Sequence, residues 1–412
     1  MTTSKKRVVV ARQQGGEGAG VTTRRAMEQL EWPPKGALHG RVLIKPNLLV
    51  LRPASSGATT DPDIVRTVVQ MSLDAGASEV VVAESSNWGV DTDAAFEALG
   101  YGKLARETGC RLLNLKEDSF VEVEVDGQFM KRFLMPRTLI EADYVINVAK
   151  MKAHRMTYVT FGLKNMGVGS HNDDQKEEMH RIGNYAVLSD EVMDRGSGLD
   201  HNIVSVNLAC RCDLTVVDGL VAQEGPGAPL TGGPVPAGLI VAGYDRVGTD
   251  VVTSTIMGID PTTVPHMVLA HQAGLGEIDI GKLQLGGVPL EDIDVSFEPA
   301  INLDPGSFAP PGVEVVVGRA CYACLGDLAY FIKRHADELA QLAPATIYVG
   351  KVGPVKPPME RRHLVFFGNC AGEHLYGGGF ATGCPPRSRR QVFQSLGALD
   401  LYTSDENIDL SR

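Results

Sequence analysis

The chain has 412 residues, of which 43% are hydrophobic and 22% charged, with a net charge of −11. That length suits two or three domains, and the composition excludes a disordered or fibrous chain. The acidic balance argues against nucleic acid as a partner, because binding a phosphate backbone needs a basic surface.

Residues 8–11 predict a first strand. They are too few for the apolar region of a signal peptide, and no run of about 18 apolar residues follows anywhere. A cytoplasmic, soluble protein with no membrane contact is therefore expected. The glycine-rich loop at residues 15–20 matches neither the dinucleotide fingerprint nor the Walker loop, so it reads as a flexible connection, with phosphate binding as the alternative. Residues 41–45 form a β-branched strand ended by Pro46, with Lys45 and Asn47 at its carboxyl end. Thr60, Asp61 and Pro62 are a helix start, and an amphipathic helix over 64–75 follows.

Residues 78–83 predict the next strand, with Glu84 at its end, then a helix over 94–107, a strand at 111–114 and an antiparallel excursion over 120–133. Residues 143–149 are a further strand, with Lys150, Lys152 and His154 just beyond it. The alternation predicts an α/β protein with a doubly wound, mostly parallel sheet. In such sheets ligands gather beyond the carboxyl ends of the strands. That rule selects Lys45, Asn47, Glu84, Lys150, Lys152 and His154 as residues that converge on one crevice.

Residues 166–202 have little apolar periodicity and read as a lid or interface arm, with His171 and His180 as solvated surface. Strands at 213–218 and 237–243 and a helix over 250–257 resume the pattern, and Asp218 stands at a strand end before Gly219. Residues 288–312, rich in proline, aspartate and glycine, mark a boundary. The expected organisation is a doubly wound α/β domain over 1–300 and a smaller α/β domain carrying a cysteine cluster over 301–412. In the latter, strands are expected at 313–318, 346–350 and 363–367, and helices at 325–342 and 388–396.

Cys321, Cys324, Cys370 and Cys384 are four of the chain's seven cysteines and fall in the last domain. An odd, clustered set does not match a secreted disulfide framework and points to metal or catalysis in a reducing compartment. Cys321 and Cys370 follow strands, and helix N-termini beside them favour thiolates. Structural zinc usually takes two tight knuckles, whereas the last two cysteines lie in glycine-rich loops, which suits a [4Fe-4S] cluster better. Zinc is the alternative, and four reduced, buried thiols the plainest one. Cys110, Cys210 and Cys212 read as packing.

Lys150, Lys152, His154 and Lys164 form a cationic patch in an acidic protein. Such a patch suits an anionic carboxylate or phosphate, with lysine and histidine able to move protons. His154, Lys152, Asp218 and Glu84 are the candidate catalytic groups, and Lys45, Asn47, Lys164 and Asn165 the candidate substrate-binding groups. A solvated basic loop is the plain alternative.

Together, Lys45, Pro46 and Asn47, the Thr59 to Pro62 motif, the strand ending Lys-x-Lys-x-His154, Thr160 with Lys164 and Asn165, Asp218-Gly219, Glu224 to Gly227, Tyr244 to Asp250, Gly258 to Pro261 and Gly274 to Gly276 resemble the domain-of-unknown-function family 362 over about residues 5–288. The resemblance implies an association with four-iron, ferredoxin-type cysteine sets. This chain departs from that pattern in lacking the tight C-x2-C-x2-C-x3-C-P run. The leading expectation is an iron–sulfur enzyme acting on an anionic small molecule, by redox or by cluster-assisted acid–base chemistry. An oxidoreductase and a lyase or isomerase are both open, as are a redox partner protein and an oligomer. The rivals are a non-enzymatic iron–sulfur electron carrier or redox sensor, and a zinc-stabilised scaffold.

Overall fold

The computed structural model describes residues 6–33, 38–181, 195–230, 232–301, 303–353, 363–374, 378–383, 385–386 and 389–401. The Val, Ile and Leu runs form strands because branched side chains pack well on a pleated sheet covered on both faces. The larger sheet begins with β1 (Arg7–Arg12), β2 (Arg41–Lys45), β3 (Glu79–Glu84) and β4 (Arg111–Asn114). A separate hairpin of β5 (Phe120–Glu124) and β6 (Arg132–Pro136) follows. The larger sheet then resumes with β7 (Tyr144–His154), β8 (Tyr158–Thr160), β9 (Leu214–Glu224), β10 (Gly233–Val235), β11 (Leu239–Gly243) and β12 (Gln284–Gly287).

The strand order is β12-β1-β11-β9-β7-β2-β3-β4, with β10 beside β9 and β8 beside β7. From β9 to β4 all neighbours are parallel, while β11 runs antiparallel to β9 and β1. Helices Ala19–Gln29 and Pro62–Asp74 bury Met27, Ile64 and Val68 against Val42, Ile44 and Val80 on one face. Helices Gly198–Ala209 and Arg246–Ile256 cover the other face. Asp61 caps the helix start by accepting from Asp63 N, with Pro62 in the first turn as the sequence predicts. The single helix expected over 94–107 is two, Thr92–Ala98 and Tyr101–Thr108. Gly100 between them takes φ +84°, which breaks the helical run.

The smaller sheet is parallel throughout, in the order β13 (Val313–Val317), β14 (Ala345–Val349), β15 (His363–Phe367) and β16 (Gly379–Ala381). Helix Tyr322–Arg334 packs Leu328, Phe331 and Ile332 on this sheet. It ends at His335, before a short helix Ala336–Ala340, where the sequence predicts one continuous helix. The architecture is thus α/β, with a large mostly parallel sheet and a smaller parallel one. Among the described residues no helix is long and apolar enough to cross a membrane.

Side-chain contacts join the two parts. Arg155 Nε lies 2.9 Å from Asp327 Oδ1, the Tyr322 hydroxyl donates to Asp200 Oδ2 over 2.5 Å, and the rings of Tyr158 and Tyr322 lie 4.6 Å apart.

Candidate functional site

β7 is longer than its apolar core. The row of alternate side chains that starts with Ile146 and Val148 continues as Lys150, Lys152 and His154, so these residues lie on the strand and not in a loop beyond it. β8 folds back on this extension, pairing Lys152 with Thr160 and His154 with Tyr158. Pairing supplies the backbone hydrogen bonds that let so polar a segment stay buried. Lys152 is fully buried, and His154 is only 8% exposed.

A cavity of about 530 Å³ opens against this extension. The larger domain contributes Asn47, Glu84, Lys152, His154, Thr160, Lys164 and Asn165 to its wall, along with Trp88. Helix Asp173–Arg181 adds Lys176, Glu177 and His180. The smaller domain closes the cavity with Asp327, Pro385, Pro386 and Arg389.

Lys152 Nζ donates to Asn47 Oδ1 over 2.6 Å and to Ala58 O over 2.8 Å. Both acceptors are neutral. Burial, and then the charge of Lys150, pushes its pKa down to about 7. Lys176 Nζ donates to Ser85 O (2.8 Å) and Ser85 Oγ (2.6 Å) and also to Ser86 O. Burial and Lys116 push this amine to about 7 as well. Lys164 Nζ sits 2.6 Å from His154 Nε2 and donates to Thr157 Oγ1 over 3.0 Å. His154 Nδ1 accepts from Met156 N at 3.0 Å. Burial, which disfavours the charged ring, holds His154 well below its usual range. The Thr160 hydroxyl, also in the wall, is buried without a hydrogen-bond partner among the described residues.

Not every predicted site residue reaches the cavity. Lys45 lies behind the wall, where its Nζ pairs with Glu84 Oε1 at 2.9 Å and donates to Asn165 Oδ1 at 3.2 Å. Glu84 Oε2 accepts from Leu48 N, so this carboxylate pins the loop after β2. Asn165 Oδ1 also accepts from Asn47 Nδ2 at 3.0 Å, which fixes both amides side by side. Gly169 makes the close packing feasible, since a Cβ there would lie 2.9 Å from Lys45 Nζ. Asp218 pairs with Lys150 at 2.7 Å, accepts from Asp61 N and Leu220 N, and stands away from the cavity.

His171 and His180, expected as solvated surface, are buried, and His180 lines the cavity. The helix carrying Lys176 and His180 packs onto the sheet, and this docking removes both from water. Sequence reading did not single out Lys176, Trp88, Asp327 or Arg389. The charged run at 172–178 was the available signal, and its period does not say that one lysine turns inward.

Cys321, Cys324 and Cys370 occupy the smaller domain's equivalent position, past its strands. Cys321 caps helix Tyr322–Arg334, and its thiol is hydrogen-bonded to Cys324, which draws its pKa down to about 7. Cys370 lies in the turn Asn369–His374 after β15. The loops converge: a Cβ on Gly368 would be 3.2 Å from Cys324 Sγ, 3.7 Å from Gly383 O and 3.8 Å from Pro386 Cδ. Asn369 N donates to Gly383 O, and Gly383 N to Asn369 Oδ1, which ties the Cys370 turn to the loop before Cys384. Paired thiols with one shifted toward thiolate have the donor chemistry of a soft metal. Among the described residues no three His, Cys, Asp or Glu side chains form a metal-binding group, and Cys384 lies outside them. Cys110, Cys210 and Cys212 are buried in the larger domain's apolar clusters.

The family model described as "Domain of unknown function (DUF362)" matches residues 42–255. These residues include the Lys152, His154, Lys164 and Lys176 side of the cavity. The chain is 28% identical over 235 residues to the thylakoid-associated protein sll1697 of Synechocystis sp., an alignment covering 57% of this chain and 68% of that protein. Among solved structures it is similar to the lactate racemase apoprotein from Thermoanaerobacterium thermosaccharolyticum. That likeness has a TM-score of 0.38 and 9% identity, over 85% of this chain and 70% of the other. No residue role is carried over from it.

Proposed function

The chain belongs to the DUF362 family, whose description names no reaction, and from this premise we propose that it is an enzyme acting on a small molecule bearing a carboxylate or phosphate. One observation carries the reading: Lys152 and Lys176 hold buried amines in the cavity wall whose hydrogen bonds all go to neutral oxygens, the Asp173 carboxylate lying 3.9 Å from Lys176. Burying a cation without a hydrogen-bonded counter-charge is costly. An entering anion supplies that charge and restores the protonated form of both amines. Asn47 and Asn165, fixed through Lys45 and Glu84, orient the anion, and Thr160 offers it a hydroxyl. His154, kept neutral by burial, moves a proton at Nε2. Asp218 supports the strand through Lys150 and does not meet the substrate.

The same reading gives Cys321, Cys324, Cys370 and Cys384 a [4Fe-4S] cluster. Such a cluster supplies electrons when fully thiolate-bound, or a Lewis acid where one iron is open. Supporting it are the hydrogen-bonded thiols of Cys321 and Cys324 and the notch at Gly368. The smaller domain's Pro385 and Pro386 line the cavity beside this region, which favours an enzyme over an electron carrier with a separate docking face.

The test is a titration with phosphate and with pyruvate, followed by the fluorescence of Trp88 in the cavity wall. Saturable binding is expected, weakened at least about tenfold in Lys152→Met and in Lys176→Met, the loss of one charge-assisted hydrogen bond. If the wild-type protein takes up neither anion, the enzyme reading is wrong and the carrier reading stands.

A further inference from the structure

The contact between Lys164 and His154 fixes a proton count. His154 Nδ1 receives the N–H of Met156, so it carries no hydrogen of its own. A neutral imidazole has one N–H, which must then be on Nε2. Nε2 points at Lys164 Nζ across 2.6 Å. An ammonium would present only hydrogens to that N–H. The Lys164 nitrogen must accept there, and so it is a neutral amine that keeps its two hydrogens, one of them directed to Thr157 Oγ1. Thr157 Oγ1 in turn donates to Val159 O at 3.1 Å, which leaves it free to accept. The tautomer on one side and the hydroxyl on the other thus hold the amine in the cavity wall.

We propose that Lys164 captures the carbonyl carbon of an anionic aldehyde or 2-oxo acid as an imine, with His154 relaying the proton. This rests on the reading of the cavity as an anion site and narrows its substrate to carbonyl compounds. The Nζ lone pair forms the C–N bond while the carbonyl π pair moves to oxygen. Nε2 gives its hydrogen to that oxygen and takes one from Nζ, leaving a neutral carbinolamine. Loss of the hydroxyl group with the remaining Nζ hydrogen releases water and leaves the C=N bond. Nothing is oxidised or reduced. The substrate's anionic group falls to Lys152 and Lys176, and Thr160 Oγ1, buried and lacking a partner among the described residues, is a donor for the carbinolamine oxygen.

The experiment treats the full chain with glyoxylate and sodium borohydride at pH 7 and maps the modified peptide. One adduct is expected, on Lys164, forming at least about 100-fold faster than on exposed Lys103. The reason is that an ordinary lysine is neutral in fewer than about one molecule in a thousand at this pH. Lys164→Arg should give no fast adduct, and His154→Gln should slow it about tenfold or more. Should either variant fail to fold, the wild-type map decides alone: label spread over surface lysines, with Lys164 unmodified, overturns the inference. Phosphate titration of Trp88 separates the two readings. Phosphate binding without a Lys164 adduct defeats the imine and keeps the anion site. An adduct without phosphate binding keeps the neutral amine but defeats the anion site, and with it the narrowing to anionic substrates.

Discussion

Asp327 Oδ1 of the smaller domain lies 2.9 Å from Arg155 Nε, immediately past the end of β7, and the same carboxylate receives Arg389 at 3.0 and 3.1 Å. One buried carboxylate therefore ties the strand that carries Lys152 and His154 to two helices of the smaller domain. The two arginines hold its pKa below the usual range against the opposing effect of burial. Arg155 and Arg389 also lie over the Tyr330 ring, at 5.0 and 5.4 Å.

Asp327→Ala removes the buried carboxylate that Arg155 and Arg389 share. The expected cost is about 3 kcal/mol, in the range for breaking a buried ion pair from one side. Urea unfolding checks it, with the loss concentrated in the smaller domain. A midpoint equal to the wild-type value would show that the triad does not join the domains.

Anion affinity should fall as pH rises above about 7. Lys152 and Lys176 are each pushed to about 7 in the free protein, so above that value the cavity loses the charge that the ligand needs. Binding must then take up protons near pH 8. Calorimetry with phosphate in two buffers of different ionisation enthalpy measures this uptake directly, and equal heats in both buffers would refute it.

Asp250 titrates in the opposite sense. Burial pushes its carboxyl to about 7 against the two N–H groups, of Gly162 and Leu163, that it accepts. A raised carboxyl contributes stability that is present below its unfolded pKa and lost as pH rises toward 7. Asp250→Asn removes this dependence. The variant should be less stable than wild type at pH 4, with the gap narrowing by pH 7.5; thermal melts across that interval test it.

Gly169→Ala should strain the network behind the cavity. Its Cβ would lie 2.6 Å from Asn165 O and 2.9 Å from Lys45 Nζ. Overpacking of this kind costs about 1–3 kcal/mol, and displacement of Asn165 should also weaken phosphate binding. A variant with the wild-type melting temperature and phosphate affinity would show that the backbone yields freely here.

Anaerobically purified protein should be coloured and should contain iron and acid-labile sulfide. Cys321→Ser, Cys324→Ser and Cys370→Ser should lose that colour, while Cys110→Ser, in the core of the larger domain, keeps it. Colourless protein with stoichiometric zinc would replace the cluster by a zinc site.

The longer strands, their order of appearance and the helix start at Asp61 and Pro62 were legible in the sequence, but the short strands β8, β10, β12 and β16 were not. Branched apolar runs, turn residues and caps act over a few neighbours, and those preferences survive folding. Lys152, His154, Lys164, Asn47 and Asn165 were legible as a group because the carboxyl ends of parallel strands bring their loops together. What only the tertiary structure decided was which charges face the cavity. Lys45 and Lys152 both follow apolar runs, yet one lies behind the wall paired with Glu84 and the other lines the cavity against neutral oxygens. Lys176 and His180 turn inward because their helix docks on the sheet, and no local preference encodes that docking. The same holds for the cysteine region: its spacing showed four thiols, but the meeting of Gly368, Cys324 and Pro386 beside the cavity comes from strands brought together across the chain. Proximity between distant segments is set by the packing of whole elements, and from it the Lys164 and His154 pair takes its chemistry.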